Sequence, residues 1–303
     1  MKSLFQYIFI CSALLLSVNV FSQDLDDLLD QMEEKEKEAV TEYTTSTFKG
    51  TKVINLHSVE RLAPGALEFR IAHRFGRING GWRELWGIDQ ASVRFGFDYG
   101  INDHLTLGFG RTTYEKTYDF YGKAALLRQS TGKRNMPISL VWFSSMAINT
   151  LDLNINPERQ YDFKHRLAYV HQLIIARKFS PNFSMEVVPS LVHHNLVENA
   201  NDANIIPALG VAGRLKLSKR VSLNAEYIYR LPQEDTPNID NYYDSFSIGF
   251  DIETGGHVFQ LHFTNSSPMI EKGFLTETNG NWADGDVQFG FNITREFTIR
   301  NKR

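Results

Sequence analysis

The sequence predicts an all-β fold, an antiparallel up-and-down transmembrane β-barrel of about 12 strands, preceded by a short N-terminal helix and an extended segment. In the hairpin Asp244–Phe263, large apolar side chains alternate with Ser, Gly, Gln and His on both sides of the turn Glu253–Gly256. A soluble sandwich typically has a wet face rich in Lys, Glu and Thr, so this pattern favours a wall between lipid and a polar lumen. Aromatic residues make up 13 % of the chain, as the outer face and interfacial girdles of such a barrel require.

The predicted connections alternate strictly between short and long. Outer-membrane barrels have short periplasmic turns and longer external loops, whereas a soluble sandwich has no reason to sort its loops by length. Both ends of the barrel chain would then face the periplasm. The short turns are Gly100–Asp103, Ser130–Asn135, Ser180–Asn182, Ser218–Arg220 and Glu253–Gly256, and the longer connections are Gly76–Gln90, Tyr114–Asp119, Ala147–His165, His193–Asn204, Leu231–Tyr243 and Asn265–Gly285.

Residues 1–22 are predicted to be a signal peptide. Lys2 supplies the positive charge, Leu4–Val18 the apolar run, and Ser22 ends a small-residue cleavage site. Cys11, the only cysteine, lies inside the apolar run and is not preceded by the small residues of a lipoprotein signal, so the mature chain would have no thiol. No later segment approaches the roughly 18 apolar residues of a membrane helix.

Residues 23–64 are predicted to precede the barrel as a periplasmic helix and an extended segment. Asp24–Val40 has leucines at helical spacing and many acidic residues, which indicates a solvated helix or, alternatively, a contact for a periplasmic protein. Thr41–Glu60 is rich in threonine, with Phe48 and Leu56 among its few apolar residues. This segment is either an extra strand or a plug inside the lumen, and the pattern alone does not separate the two.

Residues 65–303 form the predicted barrel. Its strands are Ala66–Phe75, Ala91–Tyr99, His104–Thr113, Phe120–Gln129, Pro137–Ile148, Arg166–Ala176, Phe183–Val192, Ile205–Leu217, Val221–Arg230, the two arms of the hairpin and Asp286–Phe297. Alternation places a set of polar side chains on the lumen side, and their opposite charges can pair across a narrow interior. These lumen-lining candidates are Glu68, Arg70, Arg94, Asp98, Glu186, Glu226, Asp251, Gln260 and His262.

The sequence carries no pattern that assigns a catalytic residue, a metal ligand or a cofactor. His193 and His194 are adjacent, so on a strand they point to opposite faces. Asn279–Asp286 offers oxygen ligands for calcium but lacks the carboxylate spacing of an EF-hand, and turn chemistry explains these residues equally well. Any pairing of a serine with a histidine would be arbitrary. The net charge of −3 and the lack of a basic stripe argue against a nucleic-acid partner.

Several stretches together resemble a family of uncharacterised outer-membrane β-barrels from Bacteroidetes-type bacteria, a domain of unknown function. The resemblance spans most of residues 43–297. It implies a barrel and an outer-membrane location in a Gram-negative bacterium, but no activity and no functional residues. The stretches are Ala66–Phe75, Leu127–Pro137, Phe143–Asn149, Val221–Tyr227, Ser247–Asn265 and Ile270–Gly273.

Three functions remain open at this point. The first is a narrow, porin-like channel or transporter for a small solute, which an open polar lumen would favour. The second is an outer-membrane enzyme acting on lipid or envelope polymer, which a Ser–His cluster at the lipid-facing rim would favour; an enzyme is the less favoured reading. The third is a structural or partner-docking barrel whose helix Asp24–Val40 contacts a periplasmic protein, which a sealed lumen together with an exposed leucine stripe on that helix would favour. Membrane lipid is the expected partner in all three.

Overall fold

A computed structural model describes residue 32 and residues 40–153, 160–197, 199, 202–232 and 241–300. The predicted signal peptide lies outside these residues, as does the predicted N-terminal helix apart from Met32 and Val40. The chain divides into two compact units, one of residues 1–44 and 129–137 and the other of residues 45–128 and 138–303. None of the described helices is long and apolar enough to cross a membrane.

The smaller unit contains a two-stranded antiparallel sheet. Strand β1 (Thr41–Tyr43) pairs with β6 (Ser130–Gly132), and Glu42 lies opposite Thr131. The sequence predicts a short turn at Ser130–Asn135, whereas in the structure β6 takes the first three of these residues and the turn begins at Lys133. Alternating side chains cannot reveal a strand of three residues, because so short a run has almost no period to detect.

The larger unit is a closed antiparallel barrel of twelve strands, which confirms the predicted fold. The strands are β2 (Ala66–Arg77), β3 (Ala91–Gly100), β4 (Leu105–Thr112), β5 (Tyr118–Leu127), β7 (Ser139–Ile148), β8 (Leu167–Lys178), β9 (Phe183–His194), β10 (Ile205–Lys216), β11 (Val221–Arg230), β12 (Ser245–Thr254), β13 (His257–Thr264) and β14 (Gln288–Thr298). Each strand pairs with its neighbour in the barrel order, and β14 pairs with β2 to close the sheet. Closure satisfies the backbone of every strand and removes the sheet edges.

The two faces of the wall differ as the alternation predicts. On β12, Phe250 is 46 % exposed on the outer face, whereas Asp251, the next residue, is only 2 % exposed on the inner face. Leu261 lies opposite Phe250 on β13 and is exposed on the same outer side. Outer side chains are therefore largely aromatic and aliphatic, as a lipid-facing wall requires.

One long connection does not extend away from the barrel as the sequence predicts. The connection Asn265–Gly285 is predicted to be an external loop, but its first half is buried and contains the short helix α1 (Glu271–Thr276), every residue of which is buried. The helix contacts β8, β9, β10 and β11. Met269, Ile270, Phe274 and Leu275 explain the difference, because these apolar side chains gain free energy when they leave water. We call residues 265–278 the returning loop.

Candidate functional site

The nine lumen-lining candidates all lie on buried positions of the barrel wall, with 1–4 % of each residue exposed. They face a second buried group of residues that comes from the chain just before the barrel. We call residues 45–62 the inner segment. Most residues between Thr47 and Leu62 are buried although they belong to no strand of the barrel. The candidate functional site is therefore the contact between the barrel wall and the inner segment.

The carboxylate of Glu226 on β11 binds three consecutive backbone N–H groups of the inner segment. Its oxygens accept hydrogen bonds from Ile54 N at 3.3 Å, Asn55 N at 2.9 Å and Leu56 N at 3.1 Å. Successive N–H groups that converge in this way form an anion-binding nest. Because buried backbone donors need partners and no strand supplies them here, one wall carboxylate takes the place of a strand.

Side chains from the neighbouring strands bind the carbonyl groups and the Asn55 side chain of the same stretch. Gln260 Nε2 donates to Val53 O at 2.7 Å, and Asn292 Nδ2 donates to Ile54 O at 3.2 Å. Arg74 Nη2 donates to Asn55 Oδ1 at 2.9 Å, while Asn55 Nδ2 donates to the Ser247 hydroxyl at 3.1 Å. Strands β2, β11, β12, β13 and β14 thus match most donors and acceptors of residues 53–56, while Val53 N and Leu56 O bond to each other and Lys52 binds Asn55 O.

A cluster of charged side chains surrounds Thr51 of the inner segment. The Thr51 hydroxyl donates to Glu68 Oε1 at 2.7 Å and accepts a hydrogen bond from Arg70, which also pairs with Glu68. Lys123 Nζ on β5 donates to Glu60 O at 2.6 Å. The opposite charges predicted to pair across the lumen therefore pair largely along one side of it, around the inner segment.

A second charged pair depends on glycines in the wall. Arg94 pairs with Asp119, a partner that the sequence does not indicate. A Cβ atom at Gly110 would lie 2.3 Å from Arg94 Nη2, and one at Gly96 would lie 2.7 Å from Nη1. Only glycine therefore leaves room for the guanidinium to lie along the wall. Asp98 accepts a hydrogen bond from the Tyr121 hydroxyl.

The opposite side of the interior is apolar. Phe48, Val53, Leu56 and Val59 of the inner segment belong to one buried cluster with wall residues. Those wall residues are Tyr121, Ala125, Val141, Phe143, Val170, Ile174, Ala176, Val188, Val192, Ala208, Ala212 and Ile228, together with Phe274 and Leu275 of the returning loop. Leu56 reaches the wall where β10 carries Gly210, since a Cβ atom there would lie 2.9 Å from Leu56 Cδ1. Hydrophobic burial thus holds the inner segment from this side.

The inner segment meets the returning loop through a buried ion pair. Lys52 Nζ lies 2.8 Å from Glu271 Oε1 of α1 and 5.7 Å from the centre of the Phe274 ring. His57 Nε2 lies 3.1 Å from the same carboxylate oxygen. Burial by itself raises the pKa of Glu271, but Lys52, His57 and Arg94 together outweigh it and hold that pKa well below its usual range. Burial also lowers the pKa of His57 well below its usual range, and the nearby Lys52 charge acts in the same direction.

On the far side of α1 lies a cavity of about 270 Å³ at the end of the barrel that carries the long connections. Lys272 Nζ binds Glu115 at 2.7 Å and Glu277 at 2.8 Å, and the Tyr114 hydroxyl donates to Glu277 at 3.1 Å. Arg230 also lines this space. We call this space the outer cavity, and its remaining lining includes Arg166, His165, Asn149, Leu153, Leu167, Ile206, Tyr242 and Thr276.

The two adjacent histidines point to opposite sides of β9, as predicted. His194 lies inside, with Nε2 3.1 Å from the Thr276 hydroxyl of α1, whereas the His193 ring stacks with Tyr169 at 6.3 Å. His262 is 1 % exposed and, within the part of the chain that the structure describes, neither ring nitrogen has a hydrogen-bond partner. A histidine without such a partner is unusual inside a protein.

The loop Asn279–Asp286 is organised by hydrogen bonds within itself and by contacts with Arg77 and Asn79. The Asp286 carboxylate accepts from Asn281 N and Asn79 Nδ2 and pairs with Arg77 at 3.0 Å. Turn and capping chemistry therefore occupies the oxygens that a calcium ion would need. Over the described ranges, no three His, Cys, Asp or Glu residues are grouped so that they could hold a metal ion.

Sequence reasoning missed a Ser–His pair on the outer wall. Ser144 of β7 and His171 of β8 are cross-strand neighbours, and Ser144 Oγ lies 2.9 Å from His171 Nδ1. His171 is exposed on the lipid-facing side, and Ser144 lines an apolar surface groove with Phe120, Gly122 and other residues. The strand register decides which serine meets which histidine, and composition does not contain that information.

The comparisons with known proteins identify the family to which this barrel belongs. The model of a family described as "Membrane bound beta barrel domain (DUF5777)" matches residues 48–297. The chain belongs to this family. The match confirms the resemblance that the sequence suggests, while the bacterial group stays a prediction. No curated protein matches the sequence.

Several solved structures are similar to this chain. The COG4313 outer membrane channel from Pseudomonas putida F1 is 13 % identical, with 79 % of this chain and 98 % of that chain covered and a TM-score of 0.47. The NanC porin is 7 % identical over 78 % of this chain and 100 % of that chain, with a TM-score of 0.46. Outer membrane phospholipase A from Escherichia coli, as an active-site mutant, is 12 % identical over 77 % and 91 %, with a TM-score of 0.43. At such values we draw no functional argument from these structures.

Proposed function

We propose that this protein is a narrow, gated channel or transporter for a small solute in the outer membrane of a Gram-negative bacterium. The inner segment closes the lumen at rest and leaves it when the channel opens. The observation that supports this proposal most directly is the binding of three consecutive N–H groups of the segment by the Glu226 carboxylate. A dedicated wall acceptor of this kind positions the segment at one depth in the lumen.

The chemistry of these contacts favours a removable segment over a permanent part of the wall. The hydrogen bonds of residues 53–56 run to side chains of the wall and not to its backbone. Water can replace the segment at each of these side chains without breaking a strand ladder. The barrel can therefore open while all of its strand pairs stay intact.

Deletion of residues 23–60 tests the proposal. In planar bilayers, the barrel without these residues is expected to conduct more than the protein that begins at Gln23. Both proteins must first be shown to be folded by heat-modifiable migration on SDS gels. Equal conductance of the two folded proteins would reject the gating segment and favour a structural or partner-docking barrel, the third function that the sequence leaves open.

A second candidate function, a lipid hydrolase, is favoured by one observation, the Ser144–His171 pair on the lipid-facing wall. In such a reaction His171 Nδ1 accepts the Ser144 proton while Oγ attacks an ester carbonyl; the alcohol leaves with that proton, and water then releases the acyl group. Among the described residues, however, no hydrogen bond orients the other nitrogen of His171, which is why the channel is the leading proposal.

Labelling with a fluorophosphonate probe separates the two candidates. An activated Ser144 would be labelled in lipid vesicles, and Ser144→Ala would abolish the labelling. Ser145→Ala is the matched control, because Ser145 is the next residue on β7 and is buried on the inner face. An unlabelled wild-type protein would exclude the hydrolase and leave the channel proposal untouched.

A further inference from the structure

The outer cavity contains two cationic side chains that pair with no carboxylate among the described residues. Arg166 Nη1 donates to the backbone oxygens of Asn149, at 3.3 Å, and Leu151. Arg230 lies with its guanidinium 5.4 Å from the centre of the Tyr242 ring, and its Nε is buried without a hydrogen-bond partner in the part of the chain that is described. Both keep a full positive charge at neutral pH.

The carboxylates that line the same cavity have other partners. Glu115 and Glu277 both bind Lys272, and Glu277 also accepts a hydrogen bond from the Tyr114 hydroxyl. Asp202 accepts hydrogen bonds from the backbone and side chain of Asn199 and, together with Asp244, attracts the Arg230 guanidinium without forming an ion pair with it. On one side of the cavity Lys272 is therefore paired with two carboxylates, whereas on the other side Arg166 and Arg230 form no ion pair with a described carboxylate.

The stacking of Arg230 on Tyr242 matters for recognition. An aromatic ring beneath a guanidinium restricts its rotation and leaves the donors at its edge directed outward. A planar fork of N–H donors matches the two oxygens of a carboxylate better than it matches a single hydroxyl or carbonyl. Leu153, Leu167 and Ile206 supply an apolar surface for the rest of such a molecule.

The position of the cavity links it to the proposed gate. Helix α1 contributes Lys272 and Thr276 to the cavity, while Glu271 of the same helix binds Lys52 of the inner segment. A solute in the cavity would thus contact the element that holds the closing segment.

We propose that the outer cavity binds a small organic carboxylate, with Arg230 as its main anchor, before the solute enters the lumen. The role in entry rests on the proposed channel function, but binding itself does not require the channel to open. Arg230 is the specificity-determining residue, because it selects a carboxylate over a neutral molecule of the same shape. The volume of about 270 Å³ limits the ligand to a small molecule.

Saturation-transfer NMR on the detergent-solubilised protein that begins at Gln23 tests the site. The probe is phenylacetate, and phenylacetamide is its neutral isostere. Phenylacetate is expected to bind saturably and at least about tenfold more tightly than phenylacetamide, because the amide cannot accept a charge-assisted bidentate hydrogen bond. Empty detergent micelles correct for partitioning of either probe.

Arg230→Gln is expected to weaken phenylacetate binding at least about tenfold and to remove the preference over phenylacetamide. The matched control is Arg77→Gln, since Arg77 also lies at the long-connection end of the barrel but pairs with Asp286 at 3.0 Å. This control should bind phenylacetate as the wild type does. Equal binding of the two probes, or no loss in folded Arg230→Gln, would overturn the proposal. Neither result depends on conductance. The proposal of carboxylate binding and the proposal of channel function can therefore fail independently of each other.

Discussion

The interior wall formed by β12–β14 and β2–β5 is polar, whereas the wall formed by β7–β10 is mainly apolar. The polar half binds individual backbone atoms of the inner segment, as Glu226, at its border on β11, and Gln260 do. The apolar half packs against Leu56 and its neighbours, and its hydrogen bonds from Lys178 and Arg214 reach only residues 45–47 at the start of the inner segment. The two halves therefore have different roles: hydrogen bonds fix the depth of the segment, and hydrophobic burial supplies most of the free energy that retains it.

This difference predicts how each half responds when the segment leaves. Water can satisfy the polar side chains, so exposing that half costs little. The apolar half would be exposed to water with no replacement contact, at a cost proportional to its area. Substitutions in the apolar half should then have the larger effects on stability, and those in the polar half should act mainly on the position of the segment.

The largest effect is expected for Phe143→Ala in the apolar half. Phe143 is 0 % exposed, and its ring lies 5.2 Å from that of Tyr121 and 4.4 Å from that of His57. The cavity left behind should lower the free energy of unfolding by about 3–5 kcal/mol, measured by urea unfolding in lipid vesicles. Phe97→Ala is the control: Phe97 is exposed on the outer face, where acyl chains fill the space. Equal costs for the two would contradict a packed interior.

The same contrast explains which side chains could be assigned to the inner or the outer face from the sequence alone. In the polar half, β2, β3 and β12 alternate cleanly, so the faces of residues such as Glu68 and Asp251 could be predicted. In the apolar half, Val141, Trp142 and Phe143 are all apolar, and the pattern does not say which of them faces lipid. The structure shows Trp142 outward and its two neighbours inward. The inward apolar residues are needed because the inner segment covers them.

The ion-pair partners of side chains within the site could not be predicted from the sequence, for a different reason. The pairing of Arg94 with Asp119 requires the register of β3, β4 and β5, and the contact of Lys52 with Glu271 joins residues 219 positions apart. The Thr-rich composition of Thr41–Glu60 was compatible with either a strand or a plug, because threonine favours β-structure and also satisfies polar groups in a lumen. Only tertiary contacts distinguish these alternatives.

A smaller effect is expected at the border of the polar half, from Glu226→Gln. Removing the charge weakens hydrogen bonds worth about 1.5–3 kcal/mol to the nest of residues 54–56. The segment should then leave the lumen roughly 10- to 100-fold more often. The measurement is the rate at which a water-soluble maleimide labels Ile54→Cys, in the protein that begins at Gln23 and so has no other cysteine.

Glu186→Gln is the matched control for Glu226→Gln. Both carboxylates belong to glutamates that are 1 % exposed, and both lie opposite Ala212 on the two sides of β10. Neither oxygen of Glu186 has a hydrogen-bond partner among the described residues. The control should therefore leave the labelling rate of Ile54→Cys close to the rate measured when both glutamates are present. If both substitutions accelerate labelling equally, the nest does not hold the segment.

The smallest effect is expected from Gly210→Ala, which tests the apolar half by steric conflict and not by loss of packing. The new Cβ would lie 2.9 Å from Leu56 Cδ1 and 3.2 Å from Cδ2, so Leu56 has to move. Because these atoms end a flexible side chain, we expect a cost of only about 1 kcal/mol, a roughly fivefold faster labelling of Ile54→Cys. Gly213→Ala on the same strand is the control, since the nearest atom to its Cβ is Ser184 O at 3.8 Å. A similar acceleration by both alanines would mean that strand flexibility, and not contact with Leu56, controls the segment.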